Sequence, residues 1–311
     1  MHVLNTLMPV FLIIALGAVL RKINLLSAEF VEKFNRLIYW IALPCLLFYK
    51  NAAASYDYSI AGKTFLVVMT AMLTCILIAY VVAFFLRVPP PAVGTFAQGA
   101  YRGNLVYVAL PVIIYSFSGS TTFDSAAMET LAVLVIALTI PVYNTAAIVV
   151  LLASRHKIDR HVPAKILRQI MTNPLFLSCV AGIIYSALFS RLPLVISRSC
   201  NALGQIALPM ALLGIGATLM GKRISAPLKF VFTASVIKIT VGPLAGLLAA
   251  KFLALGPGET RIALLFLSAP TAVVSYVMAD QLDGDTELSA AIVVVSCLLS
   301  VLSLSVVVGF F

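Results

Sequence analysis

Charge is scarce in this sequence. Lysine, arginine, aspartate and glutamate make up 10% of the 311 residues, against roughly 25% in soluble domains. Because 62% of the residues are hydrophobic, too few polar side chains remain to cover a water-soluble globule. Acidic residues are the rarest charges, and all eleven fall in connections or near the ends of apolar runs. The three histidines, His2, His156 and His161, are terminal or lie in the central polar stretch. A proton relay normally needs titratable groups along its path, and none is legible here. No acidic pair suited to sodium is visible either, although carbonyls freed at helix breaks can bind sodium without one. The five cysteines contain no CxxC pair and sit in or beside apolar runs, so they read as packing residues rather than ligands or a disulfide framework. There is no nucleophile with a base, no paired acidic metal ligands and no histidine cluster, which speaks against an intramembrane enzyme and calls for no cofactor. Nor is any basic run interleaved with aromatics outside the apolar segments, so the +10 formal charge is not a nucleic-acid footprint.

What the sequence has in abundance is long apolar runs, near residues 3–20, 37–49, 64–86, 105–117, 131–153, 175–189, 202–221, 228–250, 262–279 and 288–311. About 20 mostly apolar residues cross the hydrocarbon core as a helix. The runs at 37–49 and 105–117 are shorter, but weakly polar stretches before them extend each to spanning length. The expectation is an all-α polytopic membrane protein with ten transmembrane helices. A transmembrane β-barrel is excluded, because it needs short alternating strands rather than continuous runs. No cleaved signal is expected, since Arg21 and Lys22 follow the first run instead of preceding it. With ten spans, the odd-numbered connections carry thirteen lysines and arginines and the even-numbered ones six. The positive-inside rule then puts the odd connections in the cytoplasm and both termini on the extracytoplasmic side.

The chain repeats itself. Ile41-Ala42-Leu43-Pro44 recurs letter for letter as Ile206-Ala207-Leu208-Pro209, each copy inside an apolar segment. A proline there removes a backbone donor and clashes with the preceding turn, so a kink or break is expected at both. This divides the chain into residues 1–154, a linker over 155–173 and residues 174–311. Five spans per half is an odd number, so the second half enters the membrane from the opposite side and the repeat is inverted. Two such halves carrying broken helices are the sequence signature of secondary transporters, whose sites lie near the midplane where the halves meet. In the linker, Ile158, Val162, Ile166, Leu167 and Ile170 fall at helical spacing with Lys165 and Arg168 on other faces. That pattern fits an interfacial helix or an ordinary solvated linker equally. Gly214, Gly216 and Ala217 in the seventh span allow close packing against another helix, in a second copy or in the same chain.

The fourth and ninth spans carry the chemistry. The fourth contains Arg102-Gly103-Asn104 and Pro111, and the ninth Ala269-Pro270-Thr271 and Ser275-Tyr276. Breaks at mid-span free backbone groups that hydrocarbon cannot satisfy, so they must face protein or a water-filled cavity. A half-helix N-terminus at such a break offers free N–H groups and a positive dipole end, which suits a carboxylate. Asn104 adds amide donors to the same anion. The competing reading is a kinked packing helix whose Asn104 only caps the broken end. Ser275 and Tyr276 are expected opposite Asn104 in a crossing of the two breaks. Arg102 and Lys238 are the only charges read as lying well within spans, and both are cationic. Arg102 either clamps a carboxylate at the crossover or snorkels to the cytoplasmic end of its span. Lys238, before Gly242-Pro243, either neutralises carbonyls at a helix break or takes the place of a coupling cation. Tyr143-Asn144, after Pro141 in the fifth span, supplies polar groups to the cavity or simply bonds between helices.

With these residues in view the chain resembles the auxin efflux carrier family, which includes plant PIN-type carriers and bacterial malonate- and malate-type permeases. Asn35-Arg36 followed by Ala42-Leu43-Pro44 is similar to the family's second-helix signature. Asn104, seven residues before Pro111, falls where its crossover asparagine falls, and Ala269-Pro270 through Tyr276 and Ala279 follow its ninth-helix pattern. The resemblance implies two inverted five-helix repeats, with helices four and nine broken and crossed around the substrate. It also implies export of small organic anions, mono- or dicarboxylates, by an elevator-type movement of one bundle against the other. An elevator often goes with a homodimer whose scaffold stays fixed. Leu47 and Leu138 stand where plant members place a serine and a glutamine, which argues against auxin itself. The long central loop of many plant members is missing, as in a compact prokaryotic protein of the cytoplasmic membrane. Without a visible relay or sodium site, the expected driving force is the membrane potential. The alternative is a sodium- or proton-coupled symporter of the bile-acid type.

Overall fold

The computed structural model describes residues 2–52, 58–155, 162–189, 191–220 and 225–310. Every element in it is helical. In chain order these are α1 (His2–Lys22), α2 (Ala28–Leu37), α3 (Leu43–Ala52), α4 (Tyr58–Leu86), α5 (Pro90–Tyr101), α6 (Leu110–Phe117), α7 (Ser125–Ser154), α8 (Val162–Met171), α9 (Pro174–Leu188), α10 (Leu194–Met220), α11 (Leu228–Val236), α12 (Gly242–Phe252), α13 (Pro257–Ser268), α14 (Val274–Gln281) and α15 (Thr286–Phe310). Five-residue π-helical turns, Ile38–Ala42, Leu105–Ala109 and Ile237–Val241, lead into α3, α6 and α12. Among the described residues, six segments are long and apolar enough to cross a membrane: Val3–Lys22, Ser59–Leu86, Ser125–Ser154, Leu194–Met220, Leu228–Phe252 and Thr286–Phe310. The protein is therefore a multi-pass membrane protein. The other four runs predicted to span are occupied by shorter or interrupted helix: α2 through α3, α5 through α6, α9, and α13 through α14.

The helices sort into two bundles by what they pack against. In the first, α1 lies along α10, and α3 packs on both α9 and α10. In the second, α4, α5, α7, α11, α12, α13 and α15 pack on one another. The α1–α10 contact is close enough to demand glycine. A Cβ built on Gly216 would sit 1.8 Å from the Ile14 carbonyl oxygen, and one on Gly17 would sit 2.1 Å from that of Leu213. The small residues of the seventh span thus pack against a helix of the same chain. At the first bundle's edge, α2 is amphipathic and starts at Ser27, whose hydroxyl accepts the Phe30 N–H at 3.1 Å.

Two expectations are corrected here. The segment holding Pro209 is not broken: α10 runs through it without interruption, as α1 runs through Pro9 and α7 through Pro141. In a bundle the freed carbonyl and the altered turn are accommodated by neighbouring helices, so proline alone does not end a transmembrane helix. Arg261, one of the six lysines and arginines counted in the even-numbered connections, lies inside α13, is buried, and sits over the Phe117 ring at 5.2 Å. The central linker does form a helix over Val162–Met171, while His156, Ile158 and His161 lie outside the described residues.

Candidate anion site at the helix crossing

The site is built where two broken spans meet. Helix α5 ends at Tyr101 and the chain re-enters helix at Leu105, while α13 ends at Ser268 and α14 begins at Val274. Between them Gly103 pairs with Thr271 in an antiparallel bridge. Asn104 N–H donates to the Pro270 carbonyl at 2.8 Å, and Ala272 N–H donates to the Arg102 carbonyl at 2.9 Å. Each break therefore satisfies backbone groups that the other has freed, which hydrocarbon would leave unpaired. Further bonds hold the crossing: Thr271 Oγ1 donates to the Gly99 carbonyl at 2.7 Å, and Thr271 N–H donates to Ser296 Oγ at 3.0 Å. The last carbonyls of α13 are capped by side chains, Ser303 Oγ on Ser268 at 2.9 Å and Lys238 Nζ on Leu267. Lys238 is fully buried in the π turn that precedes α12. Glycine suits position 103, because a Cβ there would stand 3.0 Å from the Phe266 carbonyl oxygen and 3.4 Å from Lys238 Nζ, a tight fit.

Beside the crossing are two adjoining cavities, which share Tyr39, Tyr107 and Val274. The smaller, about 80 Å³, is lined at the break by Arg102, Gly103 and Asn104, and also by Tyr143, Asn144 and Asn173. The larger, about 890 Å³, is lined by Arg21, Glu32, Asn35, Arg36, Trp40 and Tyr276, among others. Arg102 does not snorkel. It is buried in the smaller cavity's wall, where its guanidinium donates to Asn144 Oδ1 and to Met278 Sδ. Glu29 pairs with Lys33 and Lys50 with Glu129, and among the described residues no carboxylate pairs with Arg102. Asn104 caps the following turn, its Oδ1 accepting the Tyr107 N–H at 3.2 Å, and it also lines the smaller cavity. Tyr101 and Tyr143 pack edge to face at 5.6 Å, with the Tyr101 hydroxyl on the Tyr143 carbonyl at 3.1 Å. The buried Tyr143 hydroxyl has no partner among the described residues.

The other sequence candidates are placed differently. Tyr276 lines the larger cavity alongside Tyr107, not the smaller one with Asn104. Ser275 is buried with its hydroxyl unpaired and lines neither cavity. Pro44, Pro111, Pro270 and Thr271 also line neither; Pro44 and Pro111 fall in the opening turns of α3 and α6, and Pro270 and Thr271 form the crossing itself. Sequence reasoning passed over Tyr39, Tyr107 and Asn173. For Asn173 a signal existed, because Asn followed by Pro174 at the head of an apolar run marks a helix start. Among the described residues no group of three or more His, Cys, Asp or Glu could hold a metal.

The crossing thus holds a buried guanidinium with no carboxylate partner among the described residues. The family profile described as "Membrane transport protein" matches residues 2–308. The chain belongs to this family, the auxin efflux carriers. Such a carrier moves a solute rather than transforming it, so the protein is a transporter and not an enzyme. The carrier is also 26% identical over 317 aligned positions to a Rhizobium meliloti (strain 1021) protein named "Putative malonate transporter", covering 96% of this chain and 93% of that one.

Proposed function

We propose that this carrier moves small carboxylates across the bacterial cytoplasmic membrane through the smaller cavity. The observation that carries this reading is Arg102, buried at the crossing with no carboxylate partner among the described residues. An isolated buried cation is costly, and a bound anion offsets that cost. The name of the Rhizobium relative supports an organic acid as the cargo. In this reading the chain has ten spans, the four interrupted or short ones included. They form inverted halves over 1–154 and 174–311 joined by 155–173, with both termini extracytoplasmic. The first bundle (α1 to α3, α9, α10) is the fixed scaffold, paired in a homodimer, and the second slides against it carrying the crossing. Lys238 supports independence from sodium, since its ammonium already occupies the carbonyl end of α13 where a coupling cation would otherwise be held. Export then follows the membrane potential, which drives a monovalent anion outward by about 2.3 kcal/mol per 100 mV.

The test is electrogenic transport in proteoliposomes with malonate, malate, succinate, lactate and indole-3-acetate, with and without sodium and pH gradients. A carboxylate current indifferent to both gradients and lost in Asn104→Ala is expected. A current that requires sodium or a pH gradient would instead favour the symporter of the bile-acid type.

A further inference from the structure

Asn104 has a counterpart on the other bundle. Asn173 precedes α9, and its Oδ1 accepts the Leu175 and Phe176 N–H groups at 2.9 and 3.1 Å. It is only 6% exposed, and what it lines is the same cavity of about 80 Å³ that holds Arg102 and Asn104. With its oxygen committed to the helix, its NH2 group has no partner among the described residues. The two asparagines are thus used alike: each caps a helix with its oxygen and turns its amide donors to one cavity, from opposite bundles. Helix α9 begins there, so its positive dipole end is directed to the same space. The first bundle's other contributions are Tyr39 and Leu175, and the rest of the wall is mostly aliphatic and aromatic.

We propose that Asn173 is an anion-binding residue contributed by the first bundle, selecting substrates that carry a hydrogen-bond acceptor at the end remote from Arg102. This rests on the carrier reading above and deepens it. One end of the anion is held by Arg102 and the Asn104 amide, and the other by the Asn173 amide at the α9 terminus. A solute with a bare apolar tail leaves those amide donors buried and unpaired, which is a strong basis for rejecting it. Because the two ends are held by different bundles, sliding one bundle past the other breaks the Asn173 contact and frees that end.

The experiment compares uptake of malonate with that of butyrate, whose far end is a bare alkyl group, in proteoliposomes of the full chain. Asn173→Ser keeps a good helix cap and removes the amide donors. In wild type malonate is expected to be preferred. In Asn173→Ser the KM for malonate should rise about tenfold more than that for butyrate, the size expected for one lost hydrogen bond to a charged group. Asn173→Asp also keeps the cap and should abolish malonate uptake through repulsion. Thermal midpoints of both variants close to wild type exclude misfolding as the cause. An unchanged malonate-to-butyrate ratio in folded Asn173→Ser, or malonate uptake preserved in folded Asn173→Asp, would overturn the proposal and leave the carrier reading intact. Absence of transport of every carboxylate by folded wild type would overturn both.

Discussion

On the proposed carboxylate reading, the arginine at the crossing sets what the cavity can accept. Arg102 is held in place by a neutral amide oxygen and a thioether, both weak substitutes for a carboxylate, so its charge stays available to a solute. Arg102→Gln keeps a donor for Asn144 and removes the charge. Carboxylate transport is expected to fall at least about tenfold, read as kcat/KM in proteoliposomes, with little change in thermal midpoint. Residue identity was legible here because charge inside an apolar run is rare enough to stand out. Its burial was not, because snorkelling and cavity-facing arginines share the same sequence context. Asn173 shows the converse: a polar residue at the edge of an apolar run reads as punctuation, and nothing in one sequence says that the helix it starts points into a cavity.

Element by element, long unbroken helices were the most legible and interrupted ones the least. Six spans follow directly from runs of hydropathy, since each needs nothing but length and apolarity. Proline does not interrupt the helix at Pro209. The interruptions at Arg102–Asn104 and Ala269–Val273 fall where the fourth and ninth spans were read as broken and hold Gly103, Asn104 and Pro270, but what closes them is pairing between segments far apart in sequence. Such pairing is a tertiary fact that local pattern does not encode. Glycine spacing in the seventh span did announce a close helix contact, but not its partner, α1. Gly216→Ala is expected to push α1 off α10 and destabilise the fold by about 1–3 kcal/mol, seen as a lower thermal midpoint in detergent. An unchanged midpoint would mean that the two helices separate without loss.

At the scale of the molecule, the bundles are tied at the end remote from the larger cavity. That cavity reaches Ala28, at the start of the α2–α3 span, whereas Lys50 lies in its last turn and bonds Glu129 of α7 at 2.8 Å. Both side chains are largely shielded, and the pair joins the first bundle to the second. On the proposed elevator cycle this pair must part. Glu129→Gln is expected to raise the ratio of separated to closed molecules roughly fivefold, the equivalent of about 1 kcal/mol, measured by spin-label distances between α7 and α9. Identical distance distributions would show that the pair does not hold the bundles together. The two-bundle division itself was only half legible: the repeat announces two halves in sequence, yet each bundle draws helices from both. Lys238 has a consequence for energy coupling under the same cycle. A cation that is a side chain is not released on the far side, so on that cycle no sodium gradient is harvested at this position. Such a protein would be a valve limited by voltage. At 100 mV it would bring a monovalent anion to a gradient of about fifty-fold and then stop, however much sodium stood outside.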